Sequence, residues 1–176
     1  MLCAGGVGTT ATASASASAC ANAAAATQAQ DLDRAARTVR CLINDARARR
    51  HLPAVRPASR LQRAAARHSR AMLSAGLFDH TVPGELPLAV RVRRTGYLTR
   101  ARRWSLGEAI AWAQGDQTSP RALVAALLAS PPHRAILLDP RFREIGVGLL
   151  RGVPRSRAHD VTGATLTLDF GRVTQR

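Results

Sequence analysis

Glutamate occurs only at positions 85, 108 and 144 of this 176-residue chain, and histidine occurs five times, so each occurrence can be weighed. Glu108 lies in Gly107-Glu-Ala-Ile110 with Trp104, Leu106 and Trp112 close by in sequence. An unpaired charge among such neighbours is costly. The group needs a partner, and an imidazolium, an arginine or a metal would each serve. His80 follows a helix stop in Gly76-Leu-Phe-Asp-His-Thr81, and His133 stands at a chain reversal in Ser130-Pro-Pro-His-Arg134. Two imidazoles and one carboxylate with an open fourth position make a reasonable Zn²⁺ site. Separations of 28 and 25 residues match no short metal motif such as H-E-x-x-H, so spacing alone does not bring the three together. A histidine after two prolines is also a common structural residue bonded to a turn, and that reading stays open for His133.

Nucleophilic hydrolysis has less support. No Gly-x-Ser-x-Gly occurs, and although Ser69 and Ser130 stand near His68 and His133, close neighbours in a helix do not face each other.

The elements that must position these groups are legible from periodicity. Leu32, Ala36, Val39, Ile43 and Ala46 form the inward stripe of a helix from Asp31 to about Arg50, with Arg34, Arg37, Arg40 and Arg47 largely off it. Pro57-Ala58-Ser59 starts a second helix whose stripe is Leu61, Ala65, His68 and Met72, so His68 points inward, and Gly76 stops it. A shorter helix covers Leu86 to Thr95, and Ser119-Pro120 caps a fourth. Pro131 and Pro132 stop that helix, and a short helical turn through Leu138 follows. Ile145 to Leu150 and Ala164 to Phe170 read as strands, and glycines at 146 and 148 leave room for something to approach the first of them. Helices first and antiparallel strands last read as an α+β fold.

Composition limits the function classes. All 26 basic residues are arginine, giving a net charge of +15, so anionic envelope polymers or phosphate head groups should gather at the surface in a salt-dependent way. Three Phe, two Trp and one Tyr are too few for a base-stacking platform, and no specific nucleic acid is expected as a partner. The densest arginine cluster, Arg91, Arg93, Arg94, Arg100, Arg102 and Arg103, reads as a solvated helix face and loop. Residues 1–30 carry no charged side chain and resemble the end of a secretory leader, or else a disordered Ala/Ser tail, outside a single domain spanning 31–176. A cut near Ala26 would leave Cys41 as a lone thiol with no intramolecular disulfide. Lipid attachment at Cys20 is a minor option, because the leucine usual in a lipobox is absent.

The succession Cys41-Leu-Ile-Asn-Asp-Ala-Arg47, Ala66-Arg-His-Ser-Arg-Ala-Met72, Leu77-Phe-Asp-His-Thr81, Gly96-Tyr-Leu, Gly107-Glu-Ala-Ile-Ala-Trp112, Ser130-Pro-Pro-His-Arg134, Arg141-Phe-Arg-Glu-Ile-Gly-Val-Gly148 and Thr167-Leu-Asp-Phe-Gly171 resembles the bacterial SCP-like branch of the CAP superfamily. That superfamily takes in cysteine-rich secretory proteins, antigen 5 and plant pathogenesis-related proteins. The resemblance implies a three-layer α-β-α sandwich with a central antiparallel sheet and a cleft on one side. It aligns His80, Glu108 and His133 with the family's cleft residues. Ala109, Pro132, Leu127 and Leu168 depart from the usual asparagine, glycine, tryptophan and glutamine, and no acid stands on the helix from Arg121 to Ala129. Glu144 is the nearest candidate for a fourth cleft residue.

A secreted or envelope-associated monomer is expected, the export on the strength of the leader-like opening. Its cleft, formed by His80, Glu108, His133 and Glu144, would bind a small ligand, a lipid, or a divalent metal such as Zn²⁺ held by the first three. A non-catalytic role is expected. The alternative is a metal-dependent hydrolase with Glu108 or Glu144 as base.

Overall fold

The side chain of Asp31 accepts the backbone N–H of Arg34 at 2.8 Å and starts α1 (Leu32–Ala48). In the computed structural model, which describes residues 20–154 and 162–174, four more helices follow in order. They are α2 (Ser59–Ala75), closed by Gly76 in the left-handed conformation, α3 (Leu88–Arg94), α4 (Pro120–Ala129) and α5 (Pro131–Leu137). The Ser119 hydroxyl caps α4 by accepting from the N–H of Ala122. Pro131 and Pro132 stop α4 as expected. They also form the first turn of α5, where an amide N–H has no intrahelical partner to lose.

Four strands form one sheet in the order β1-β3-β4-β2. The two-residue β1 (Arg56–Pro57) runs parallel to β3 (Glu144–Arg151), while β3 and β2 (Arg103–Ala113) both pair antiparallel with β4 (Ala164–Thr174). The sheet is therefore mixed at one short edge rather than wholly antiparallel. β2 has no counterpart among the sequence-based strands. Its inward positions are small, Ala109, Ala111 and Ala113, and its other face interleaves Glu108 with apolar residues, so neither half gives a clean apolar alternation.

Helices cover both faces, giving the three-layer sandwich. Ile145, Val147, Leu149, Leu166, Leu168 and Phe170 pack on one side against Val39 and Ile43 of α1, Leu123 and Leu127 of α4 and Leu137 of α5. On the other side Leu61, Val92, Tyr97 and Leu98 form one cluster, and Met72, Val82 and Ile110 a second. Gly146 and Gly148 are what let α2 lie close. A Cβ at either would stand 2.1 or 2.3 Å from the α2 backbone. The Ser69 hydroxyl then bonds the Gly148 carbonyl and the Thr167 hydroxyl, both at 2.8 Å, across that seam.

Two expectations from arginine and cysteine are corrected. Arg47, read as lying off the apolar stripe, is fully buried, and its guanidinium donates to the carbonyls of Pro53, Leu137 and Asp139 at 2.8–3.1 Å. It ties the end of α1 to the turn before β3. Cys41 is not a lone thiol, because it forms a disulfide with Cys20, which also leaves Cys20 no thiol to lipidate. Residues 20–30, assigned to a segment outside the domain, are packed onto it. Ala23 and Thr27 are buried, the Ala23 carbonyl accepts the Arg121 N–H of α4 at 2.9 Å, and the Gln30 carbonyl accepts from Arg151 at 2.7 Å.

Candidate functional site

Glu108 and Asp169 face each other directly across the β2–β4 register, and both are buried. The helices on that side of the sheet aim their polar groups at this pair. Oε1 of Glu108 lies 2.8 Å from Nδ1 of His80, and Oε2 accepts a bond from Arg91. Arg91 also stands 3.5 Å from Glu85 and donates to the carbonyls of His80 and Leu86 at 3.3 and 3.4 Å, so α3 pins the loop that carries His80. His68 of α2 bonds Glu85 through Nδ1 at 2.5 Å. Its Nε2 lies 3.8 Å from Glu108 and has no hydrogen-bond partner among the described residues.

Asp169 is fully buried, and neither carboxyl oxygen has a hydrogen-bond donor among the described residues. Burial, followed by the negative charge of Glu108, pushes its pKa well above the usual carboxyl value, with Arg91 opposing. Two ionised carboxylates offer each other only acceptors. A proton on Asp169 turns that contact into a donor facing Glu108.

At the surface of this buried cluster, His80 is about half exposed, with a side-chain accessibility of 52%. With a proton on Nδ1 it donates to Glu108, and Nε2 remains the free ring nitrogen. His133, on α5, lies 2.9 Å through Nδ1 from the Ser130 hydroxyl, a contact across one helical turn that the expectation for Ser130 missed. Burial and then the charge of His80 hold His133 below its ordinary pKa of 6.5. The second effect places the two imidazoles within electrostatic reach of each other.

The four expected cleft residues thus divide. His80 and Glu108 bond directly, and His133 is their electrostatic neighbour. Glu144 is engaged elsewhere, on the far side of β4, where it accepts the Tyr97 hydroxyl at 2.6 Å. Burial and that bond raise the Tyr97 pKa.

As a donor set for Zn²⁺ the three remaining residues do not fit. Both Glu108 oxygens are engaged by His80 and Arg91, and Nδ1 of His80 is occupied by Glu108. Among the described residues, no group of three or more His, Cys, Asp or Glu is arranged to hold a metal ion. Glu108 orients an imidazole rather than presenting a ligand atom.

Sequence reasoning named three partners that would serve Glu108, an imidazolium, an arginine or a metal, and the fold sets a histidine and an arginine against it. It missed Arg91, which was grouped with the solvated arginines but is 6% exposed, along with Glu85 and Asp169. His68 does point inward, but into a polar cluster rather than an apolar core. The available signal was an Asp in the apolar run Leu166-Thr-Leu-Asp-Phe170, since a carboxylate on such a strand requires a polar counterpart.

Beside His80 the surface turns apolar. Leu77 and Trp112 are exposed, and the Phe78 ring meets that of Trp112 edge-on at 6.5 Å. A 220 Å³ pocket lined by Arg67, Glu85 and Arg94 adjoins the cluster from the α3 side. A larger one of 780 Å³ lies away from the histidines, between α1 and residues 20–22.

The pattern defining the cysteine-rich secretory protein family, CAP, matches residues 41–159. An extracellular protein containing an SCP domain from Bacillus anthracis superposes with a TM-score of 0.62 at 24% identity. That alignment covers 81% of this chain and 44% of the Bacillus protein, so this chain spans less than half of that relative's length. An outer surface protein from Borrelia burgdorferi superposes with a TM-score of 0.66 at 18% identity, covering 82% of this chain and 97% of that one. At these identities the likeness is one of fold. No curated protein matches the chain.

Proposed function

The chain belongs to the cysteine-rich secretory protein family, and on that premise we propose that it is a secreted or envelope-associated binding module whose cleft beside His80 takes a small amphipathic ligand without transforming it. The observation that carries this reading is the commitment of Glu108. With one oxygen on His80 and the other on Arg91, its buried carboxylate is held within the protein's own polar network, and through that network it fixes an accessible imidazole next to an apolar rim. A ligand with a hydrogen-bonding or anionic head and an apolar body suits that combination, the head at His80 and His133 and the body on Leu77, Phe78 and Trp112. Residence outside the cytoplasm is supported by the Cys20–Cys41 bridge, since such bonds persist in oxidising compartments. The names of the Bacillus and Borrelia proteins point the same way.

Titration with a long-chain fatty acid such as palmitate, read by calorimetry, tests the proposal. The parent should bind with a dissociation constant in the micromolar range, and His80→Ala and Trp112→Ala should each weaken binding at least about tenfold, roughly 1.4 kcal/mol. Circular dichroism confirms that each variant is folded. The competing reading, a metal-dependent hydrolase, requires zinc-loaded protein to cleave a generic ester or peptide and to lose that activity with chelator and in His80→Ala. That result would replace the binding module with an enzyme.

A further inference from the structure

The arginine cluster divides once the fold is known. Arg91 is withdrawn into the buried network, while Arg93, Arg94, Arg100, Arg102 and Arg103 stay exposed. They gather at one end of the sheet, where α3 finishes, β2 begins and β4 ends. The Arg102 N–H bonds the Thr174 carbonyl at 3.1 Å, and Arg103 pairs with Thr174 in register. Arg60 and Arg63 of α2 add two guanidinium groups to this end through bonds to the Gly96 and Thr95 carbonyls at 3.0 and 3.2 Å. Residues 86–107 contain no Asp or Glu, and among the described residues none of these arginines forms an ion pair. At the same end Trp104 is 44% exposed. The other tryptophan, Trp112, has Phe78 as a ring partner, whereas no aromatic ring meets Trp104 among the described residues.

We propose that this end of the sheet is a docking surface for anionic phospholipid membranes, with the exposed arginines on the head groups and the Trp104 indole in the interfacial layer. The charge alone would suit any polyanion. Trp104 decides the class, because an indole with an apolar body and a polar N–H gains from the boundary between head groups and acyl chains, while a soluble phosphate polymer offers it nothing apolar. Unpaired arginines near an anionic leaflet each add attraction without first breaking an internal ion pair. No helix among the described residues is long and apolar enough to cross a membrane, and the contact proposed is a peripheral one. The proposal stands apart from the ligand cleft, and His80→Ala should leave it intact.

The test is co-sedimentation with vesicles of phosphatidylglycerol and phosphatidylcholine, compared with phosphatidylcholine alone. Two triple variants remove equal charge. Arg100→Gln/Arg102→Gln/Arg103→Gln alters the proposed surface, and Arg34→Gln/Arg37→Gln/Arg40→Gln alters α1. The first should weaken binding to the anionic vesicles on the order of 100-fold and the second only several-fold. In a Trp112→Phe background, Trp104 emission should shift to the blue on binding anionic vesicles. Equal losses in the two triple variants would mean that net charge alone drives adsorption, and the proposal would fail. It would fail equally if polyphosphate displaced the protein while Trp104 emission never moved on vesicles, which would assign the surface to a soluble polyanion. Retained circular dichroism excludes unfolding as the cause in either variant.

Discussion

Burying a carboxyl group opposite Glu108 leaves Asp169 with one source of relief among its neighbours' charges, Arg91, which is already bonded to Glu108. The native state therefore keeps a proton on Asp169 to higher pH than the unfolded chain, whose carboxyl titrates near pH 3.8. For a raised carboxyl pKa, this group's contribution to stability is full below the unfolded value and is lost as the pH climbs through the native one. Asp169→Asn imitates the protonated form but does not titrate. It should be more stable than the parent at pH 8 by at least about 1 kcal/mol, with the difference shrinking toward pH 4. Urea melts at the two pH values check this. A parent that gains on the variant as pH rises would mean that Asp169 is ionised against Arg91. His68 and Glu85 complete the cluster from α2 and the following loop, so the test reads the network through one of its fully buried members.

Among the elements, α2 depends most on residues that have no side chain. The two glycines of β3 admit its backbone, and the room they leave for something to approach the strand is filled by the helix itself. Gly148→Ala drives a methyl group to 2.3 Å from the backbone of Ala65 and should cost about 1–3 kcal/mol or more as the helix is forced outward. Arg70→Ala, on the exposed side of the same helix, should change stability by no more than about 0.5 kcal/mol. Thermal or urea denaturation of the pair measures the contrast, and equal effects would mean that α2 does not bear on β3 as described. Because His68 and Ser69 sit on the face pressed against the sheet, loosening α2 should also perturb the polar cluster.

At the scale of the whole molecule, the chain before α1 acts as a strap. It is bridged to α1 by Cys20–Cys41, joined to α4 through Ala23 and joined to β3 through Gln30. A cut between Ala24 and Asp31 would discard the bridge, so if a leader is removed, the cleavage should fall before Cys20. Protein starting at Cys20 should lose about 3 kcal/mol on reduction, the effect expected for a bond closing a loop of 21 residues. Protein starting at Asp31 should be less stable by a similar amount or more and indifferent to reductant. Denaturant midpoints with and without reductant decide the matter. An unchanged midpoint in the longer protein would mean that the bridge is absent.

By itself the sequence determined the helices, because apolar residues at helical spacing, Ser119-Pro120 at one start and Gly76 at one stop are local signals. It likewise determined β3, most of β4 and the family, which rests on short pieces in fixed order. It singled out His80 and Glu108, scarce polar groups in apolar settings, and those two do meet. Only the tertiary structure decided what surrounds them. β2 is a strand because β4 pairs with it along its whole length, from Arg103 with Thr174 to Ala113 with Ala164, a condition set by residues far away in sequence. Arg47 and Arg91 look like their solvated neighbours until the chain supplies carbonyls to one and two carboxylates to the other. A charge is buried or solvated according to what lies across the gap, and composition and local periodicity do not record that.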